Sequence, residues 1–445
     1  MTAHIPAEHA TPGRGTTGEP VLDEDRAAAE TRRLEEKFAA FRHLVPLALR
    51  EDVLFLNSAS APPASLVVHE AVVQYSAEAL HSARPHAGWR VVVEEVRGLL
   101  ARCIGAGSAA EIAFTRDTTE GLGSVARTLR FARGDNVVLL DVEHPSTAHG
   151  WLALRDAAGL EVRQVPTRAW AGGAPVAVDA AALAPFVDAR TRAVGLSSVA
   201  FDGGQRHAVA ALCAALRPRR VHVVVDATQH VGFAALDVRA LGVSAAAFSL
   251  HKGLGCPVGL GALYVAPDVF ADDDDDDDDG RLLLPLPPPP IVGMAGVRDL
   301  RADLLVCAAD GPLTYRDGAL RFEHANVSFV AAVAARASLR FYLDVLGPAD
   351  VEAHLYGLTE ALMAACDRLG VLVVNPRARE HRAPHICVLG LGARGGWGRF
   401  LEQQGACVTP NRLGVRVSFG FYSDREDVRR FVAMLELGIT RGLPV

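Results

Sequence analysis

The chain has 445 residues, half of them hydrophobic, which is enough for two domains and an extensive core. Most of its formal net charge of -7 comes from one acidic run, Asp272 to Asp279, and the remainder is near neutral. That balance offers no basic field to attract nucleic acid, and no run of about 18 apolar residues is present to span a membrane. The seven cysteines (103, 213, 256, 307, 366, 387 and 407) never form a C-x-x-C pair. A disulfide framework or structural zinc site is therefore not expected, and a reducing, cytoplasmic location is. The N-terminal MTAHIPAEHATPGRG has no apolar core of the secretory type.

Residues 1–25 read as a disordered tail rich in Gly, Pro and Thr. Residues 26–50 read as an N-terminal helix through Leu34, Phe38, Phe41 and Val45, which Pro46 kinks or ends, and which packs on the small domain. Short β-type runs follow: EIAFT (111–115), NVVLLD (136–141), AVGLSS (193–198), VHVVVD (221–226), AAAFSL (245–250) and GALYVA (261–266). Helical stretches alternate with several of them, at 119–129, 149–158 and 208–216. Continuous Val/Leu runs between helices predict an α/β domain over 51–346 with a mostly parallel sheet buried on both faces. The insert at 272–290, eight Asp and then PLPPPP, reads as a solvated loop. After a long helical stretch to Leu346, Gly347-Pro348 opens a smaller α+β domain over 347–445, with strands expected in GVLVVN, HICVLGL and GVRVSF.

In a parallel sheet, ligands sit beyond the carboxyl ends of the strands. Polar residues gather there: His144 after NVVLLDVE, Asp226 after VHVVV, and His251-Lys252 after AAAFSL. Lys252 is hard to explain as packing. A lysine at a buried strand end is desolvated, which favours the neutral amine that a Schiff base with an aldehyde cofactor needs. Asp226, on a neighbouring strand, is suited to hold a protonated ring nitrogen. Alone, Asp226 is equally suited to cap a helix, and His144 and Arg416 equally read as ordinary loop and strand residues. HRAPH, with His381, His385 and nearby Cys387, is a minor metal candidate, and no metal site is expected. No Walker loop or strand-borne GxGxxG occurs, which disfavours a nucleotide enzyme.

Six separated motifs together resemble the class V aminotransferase family of fold-type I enzymes, which use pyridoxal 5'-phosphate (PLP). That family includes cysteine desulfurases, selenocysteine lyases and isopenicillin N epimerases. The resemblance runs from about residue 50 to 440. It implies that Lys252 of Ser249-Leu-His-Lys holds the cofactor, with Ser249 and His251 on its phosphate. It implies that Asp226 pairs with the ring nitrogen, Gln229 reaches the ring oxygen and His144, in EHPSTAHGW, stacks on the ring. FTRDTTEGLGSVA resembles the phosphate loop and points to Thr118 and Thr119, with Asp117 where the family has glycine. FLNSASAPP points to Asn57, and GVRVSFGFYSDREDVRRFV to Arg416 as the grip on a substrate carboxylate. ALRFEHANVSF resembles the segment that reaches the other subunit's phosphate in a homodimer with shared sites, placing Asn326 there.

These implications describe an enzyme acting on an amino acid or amine. Transamination and β-lyase or C–S lyase chemistry lead, with a cysteine desulfurase, an epimerase or a catalytically idle PLP-fold protein as alternatives. Desulfurases of the family carry a nucleophilic cysteine shortly before the carboxylate-binding arginine. Here GACVTPNRLGVRVS has no cysteine between Thr409 and Arg416. Cys407 reads as a small core residue on a strand and Cys256 as part of a tight glycine-rich turn.

Overall fold

The computed structural model describes residues 19–167, 175–270, 288–298, 313–392 and 396–445. The acidic run, Cys307 and residues 1–18 lie outside them. In chain order the elements begin with α1 (Glu19–Ala39), β1 (Leu54–Phe55), α2 (Leu66–His81), α3 (Pro85–Cys103), β2 (Ile112–Thr115) and α4 (Thr118–Thr128). They continue with β3 (Asn136–Leu140), α5 (Pro145–Ala158), β4 (Glu161–Val165), α6 (Ala180–Leu183), β5 (Thr191–Ser197) and α7 (Val209–Leu216). Next come β6 (His222–Asp226), α8 (Val238–Leu241), β7 (Ala245–Ser249), β8 (Gly261–Val265), α9 (Phe329–Arg340) and α10 (Pro348–Leu369). The chain closes with β9 (Ile386–Leu389), α11 (Trp397–Gln403), β10 (Ala406–Cys407), β11 (Thr409–Asn411), β12 (Gly414–Ser418) and α12 (Arg425–Thr440).

Seven strands form one sheet in the order β2-β8-β7-β6-β5-β3-β4. Only β8 runs against its neighbours, so the sheet is mostly parallel, as the Val/Leu runs require. All residues of β2, β3, β7 and β8 are buried. The edge strand β4, EVRQV, escapes the sequence reading because three of its five residues are polar and it is half exposed. The carboxyl ends of β2, β3, β5, β6 and β7 share one edge of the sheet, which puts Thr115, Ser197, Asp226 and Ser249 side by side.

Past β7, Gly232 (φ +84°) and Gly253 lie backbone to backbone. A Cβ on either would sit within 2.3 Å of the other segment's main chain. Glycine at both positions is what lets the turn after Lys252 press onto the β6–α8 connection.

The C-terminal part has an antiparallel sheet, β11-β12-β9, covered by α10 and α12. GVLVVN, expected as a strand, makes one bridge, Val373 to Leu389, and hydrogen bonds from Val374 N and to Leu372 O. Its Asn375 side chain turns inward and bonds Gly203, Ile386 and Val388, ending the ladder. The N-terminal helix ends at Ala39, earlier than the pattern to Leu49 suggests. Proline at 46 restricts Val45 (φ -122°, ψ 86°), and two short 3-10 turns replace the last helical turns. The helix packs on α10: Arg33 and Lys37 pair with Asp350, and Phe38 stacks on His354 at 4.2 Å. β1 pairs in parallel with β10, tying the chain just before Asn57 to the C-terminal part. Among the described residues no helix is long and apolar enough to cross a membrane.

Candidate active site

The sheet edge carries a closed set of hydrogen bonds. The Asp117 side chain caps α4 by accepting from Glu120 N at 2.9 Å. Thr118 N–H donates to Ser249 Oγ at 3.0 Å, and the Thr118 hydroxyl is 2.7 Å from both Ser249 Oγ and Thr228 Oγ1. A helix N-terminus ringed by three hydroxyls is suited to a phosphate. Asp117, where glycine is expected, serves as the cap and leaves the helix start intact. Thr119 is exposed beside it, and His251 is partly buried, with its pKa lowered by burial and by Lys252.

Buried Asp226 accepts from Thr147 Oγ1 at 3.0 Å and from Thr228 N at 2.9 Å. His144 is the N-cap of α5, its Nδ1 accepting from Ser146 N at 3.2 Å. Burial lowers its pKa, so near neutral pH its ring is neutral with the proton on Nε2. The Lys252 amine is also lowered, chiefly by burial. Asp226 opposes that shift and Arg416 adds to it.

Gln229 is fixed from two sides. Its Nε2 donates to Ala59 O at 2.8 Å, and its Oε1 lies 3.2 Å from His385 Nε2. His385 is fully buried and stacks face to face on Phe233 at 3.7 Å. Among the described residues no group of three metal-ligating side chains exists. HRAPH instead supplies His385 to orient Gln229.

On the opposite side, the Arg416 guanidinium is 5% exposed, and no carboxylate hydrogen-bonds to it. Nη1 donates to Phe201 O at 2.5 Å and Nη2 to Thr409 Oγ1 at 3.3 Å, while Nε has no partner among the described residues. Burial lowers its pKa to about 10. Asn57 bridges to Ser418 and accepts from Thr409 Oγ1 at 2.6 Å, so it stands beside Arg416. Asn326 is exposed, away from this set, on a segment anchored by the buried Glu323–Arg97 pair and by His324, 2.8 Å from Glu120.

The sequence reading missed Thr147, Thr228 and Glu143. Glu143 accepts from Ser197 N at 2.9 Å and its hydroxyl at 2.5 Å, and burial pushes its carboxyl up to about 8. The signal was present, since EHPST carries both Glu143 and Thr147 around His144. Cys407 departs from expectation. It is only partly buried, and its thiol bonds Asn57, because parallel pairing with β1 turns it toward that loop.

A sequence model described as aminotransferase class-V matches residues 53–272. An uncharacterized aminotransferase of Schizosaccharomyces pombe, C777.03c, is 38% identical over 92% of this chain and 98% of its own. The chain belongs to the class-V aminotransferase family. A cysteine desulfurase of Dickeya dadantii is 29% identical over 97% of this chain and 98% of its own. The cystine C-S lyase C-DES, solved with its reaction product cysteine persulfide, superposes with a TM-score of 0.73 at 22% identity, over 88% of this chain and 98% of its own. The enzyme is thus a PLP-dependent member of the family with the fold-type I architecture. Its residues fit that cofactor: hydroxyls and a helix start for the phosphate, Asp226 for the ring nitrogen, and the Lys252 amine for the aldehyde.

Proposed function

We propose that the enzyme cleaves a bond at the β-carbon of an amino acid, in the manner of a C–S lyase, using Lys252 as the base. The observation that carries the amino-acid part is the buried Arg416 guanidinium with an unpartnered Nε. Such a charge is costly unless an anion meets it, and a carboxylate meets a guanidinium fork bidentately. Bound PLP supplies an electron sink for negative charge at the substrate Cα. Lys252, kept toward its neutral form by burial, takes the Cα proton. Asp226, held by Thr147 and Thr228, would pair with the ring nitrogen. Neutral His144 would cover the ring without adding charge, and Gln229, held by Ala59 and His385, would offer its remaining amide hydrogen to the ring oxygen. Asn57 and Thr409 orient the carboxylate end beside Arg416. The names of the desulfurase and the C-S lyase support chemistry at a carbon–sulfur bond.

A β-lyase breaks the bond from Cβ to the substituent, releasing it (a thiol from an S-substituted cysteine), and with one water releases ammonia and a keto acid in one turnover, without an amino acceptor. The test is to supply S-substituted cysteines and assay keto acid and ammonia with and without added keto acid. Release of both without acceptor supports the reading. Amino transfer that depends on an acceptor makes the enzyme a transaminase.

We also infer a homodimer that shares its sites, since Asn326 projects exposed from a segment rigidly anchored next to the α4 start. A fully active monomer in sedimentation at assay concentration overturns this.

A further inference from the structure

One cavity opens on the wall that carries Lys252, and neither Thr118, Asp226 nor Arg416 lines it. Its opposite wall is a π-helical segment, Phe341–Leu346, that continues α9. Such segments are rare and concentrate at functional sites, because the extra residue per turn re-aims side chains. Here Phe341, Tyr342 and Leu346 face the cavity. Phe421 meets Phe341 edge to face at 5.6 Å, and Tyr422 meets Phe421 at 5.4 Å. Phe233 supplies a further ring, held rigid by its stack on His385.

Each side-chain hydroxyl of the lining has a protein partner, Ser65 Oγ by accepting from Val68 N–H at 3.4 Å. Ser58 Oγ and Tyr422 OH lie 2.8 Å apart, Tyr342 OH donates to Ala234 O, and Ser338 Oγ donates to Leu254 O. Lys252 is the sole charged residue in the lining. A cavity of aromatic walls whose one charged residue is Lys252, the group that acts at Cα, favours an uncharged, ring-bearing side chain, by apolar burial and edge-to-face contact.

We propose that this cavity receives the substrate's side chain, and that the substrate is an amino acid with a large, uncharged, ring-bearing side chain. The proposal rests on the amino-acid reading of the site given above. Its support is the position of Lys252, the group that acts at Cα, in the cavity wall.

The test is to titrate the holoenzyme with L-alanine, L-methionine, L-phenylalanine, L-glutamate and L-lysine, following the cofactor's absorbance. Phenylalanine is expected to bind roughly tenfold or more tightly than alanine, with methionine between them. Leu346→Trp, which fills the cavity, is expected to bring the phenylalanine-to-alanine ratio to near one. Phe421→Ala, with circular dichroism as the folding check, is expected to shrink the same ratio should the tryptophan variant fail to fold. If alanine shifts the absorbance as tightly as phenylalanine, the side-chain assignment falls while the amino-acid reading stands. If glutamate or lysine binds best, the assignment is also overturned. If no amino acid shifts the absorbance, the amino-acid reading falls and takes this proposal with it.

Discussion

The two sides of Lys252 are built on opposite principles. On the sheet-edge side every hydroxyl named has a protein partner: Thr118 with Ser249 and Thr228, and Thr147 with Asp226. On the far side a buried guanidinium keeps an unpartnered Nε and leans on a carbonyl and a hydroxyl. The first side is complete before any ligand arrives, so it sets geometry. The second holds a buried guanidinium that the Asp202 carboxylate offsets only in part and whose Nε has no partner among the described residues, so it drives selection.

The largest effect tests the residue the two sides share. Lys252→Ala is expected to abolish turnover, because both the cofactor link and the Cα base are lost. Borohydride reduction followed by peptide mapping is expected to place the pyridoxyl group on the Lys252 peptide of the native enzyme. A label on Lys37, which pairs with Asp350 far from the sheet edge, breaks the assignment.

The next effect separates the sides. Arg416→Gln removes this buried charge, which Asp202 offsets only in part, and leaves the sheet-edge bonds untouched. A lost charged hydrogen-bonding partner costs about 2–5 kcal/mol, so kcat/KM is expected to fall by about 30-fold to several thousand-fold, chiefly through KM. The cofactor's absorbance without substrate is expected to stay as in the native enzyme. A changed resting absorbance would mean that the two sides are coupled.

The same contrast explains what the sequence made legible. The sheet-edge residues sit at strand ends within short local motifs, so periodicity exposed Asp226 and Lys252 directly, and the resemblance added Ser249. Thr409 and Arg416 are cross-strand partners in the β11–β12 pair, and Asn57 joins them only because β1 crosses to pair with β10, a contact between two-residue strands more than 300 positions apart. No local pattern encodes that pairing, and only the resemblance pointed to Asn57 and Arg416. His385 drew notice only as a minor metal candidate, and its role beside Gln229 stayed hidden because stacking on Phe233 and contact with Gln229 are tertiary. The π-helical turn at Phe341–Leu346 reads as ordinary helix in sequence, since its side chains keep helical spacing.

A smaller effect tests the electrostatics beneath the sheet-edge side. Glu143 lies close enough to Asp226 and Asp202 for both to help raise its carboxyl, after burial, to about 8. The ordinary value is 4.5, so the folded state binds the proton more tightly than the unfolded state. Stability from this group is therefore full below about pH 4.5 and declines as pH rises through 8. Thermal unfolding of the apoenzyme is expected to show a Tm falling from pH 6 to 9. Glu143→Gln, which keeps an acceptor for Ser197, is expected to flatten that decline. Parallel pH profiles for the two proteins would place the proton elsewhere.

The smallest expected effect concerns the cysteines, and it bears on the far side alone. A desulfurase that works through a protein persulfide needs an exposed thiolate that travels to the substrate sulfur. Cys256 is buried, its thiol is pushed up to about 12 by burial, and it sits in the turn that Gly253 pins against Gly232. Cys407 is the closer contender, partly exposed and bonded to Asn57, yet it lies on a strand paired with β1. Burial raises its pKa, which removes thiolate, and the paired backbone removes reach. Cys256→Ala and Cys407→Ala are each expected to retain most of the activity, with at most a few-fold rise in KM for Cys407→Ala through Asn57. Mass spectrometry after incubation with cysteine is expected to show no stoichiometric persulfide. An adduct on Cys407, with activity lost in its alanine variant, would make the far side a site of sulfur transfer. The contrast would then lie between a fixed cofactor cradle and a reactive wall, with Asn57 positioning a nucleophile as well as a carboxylate.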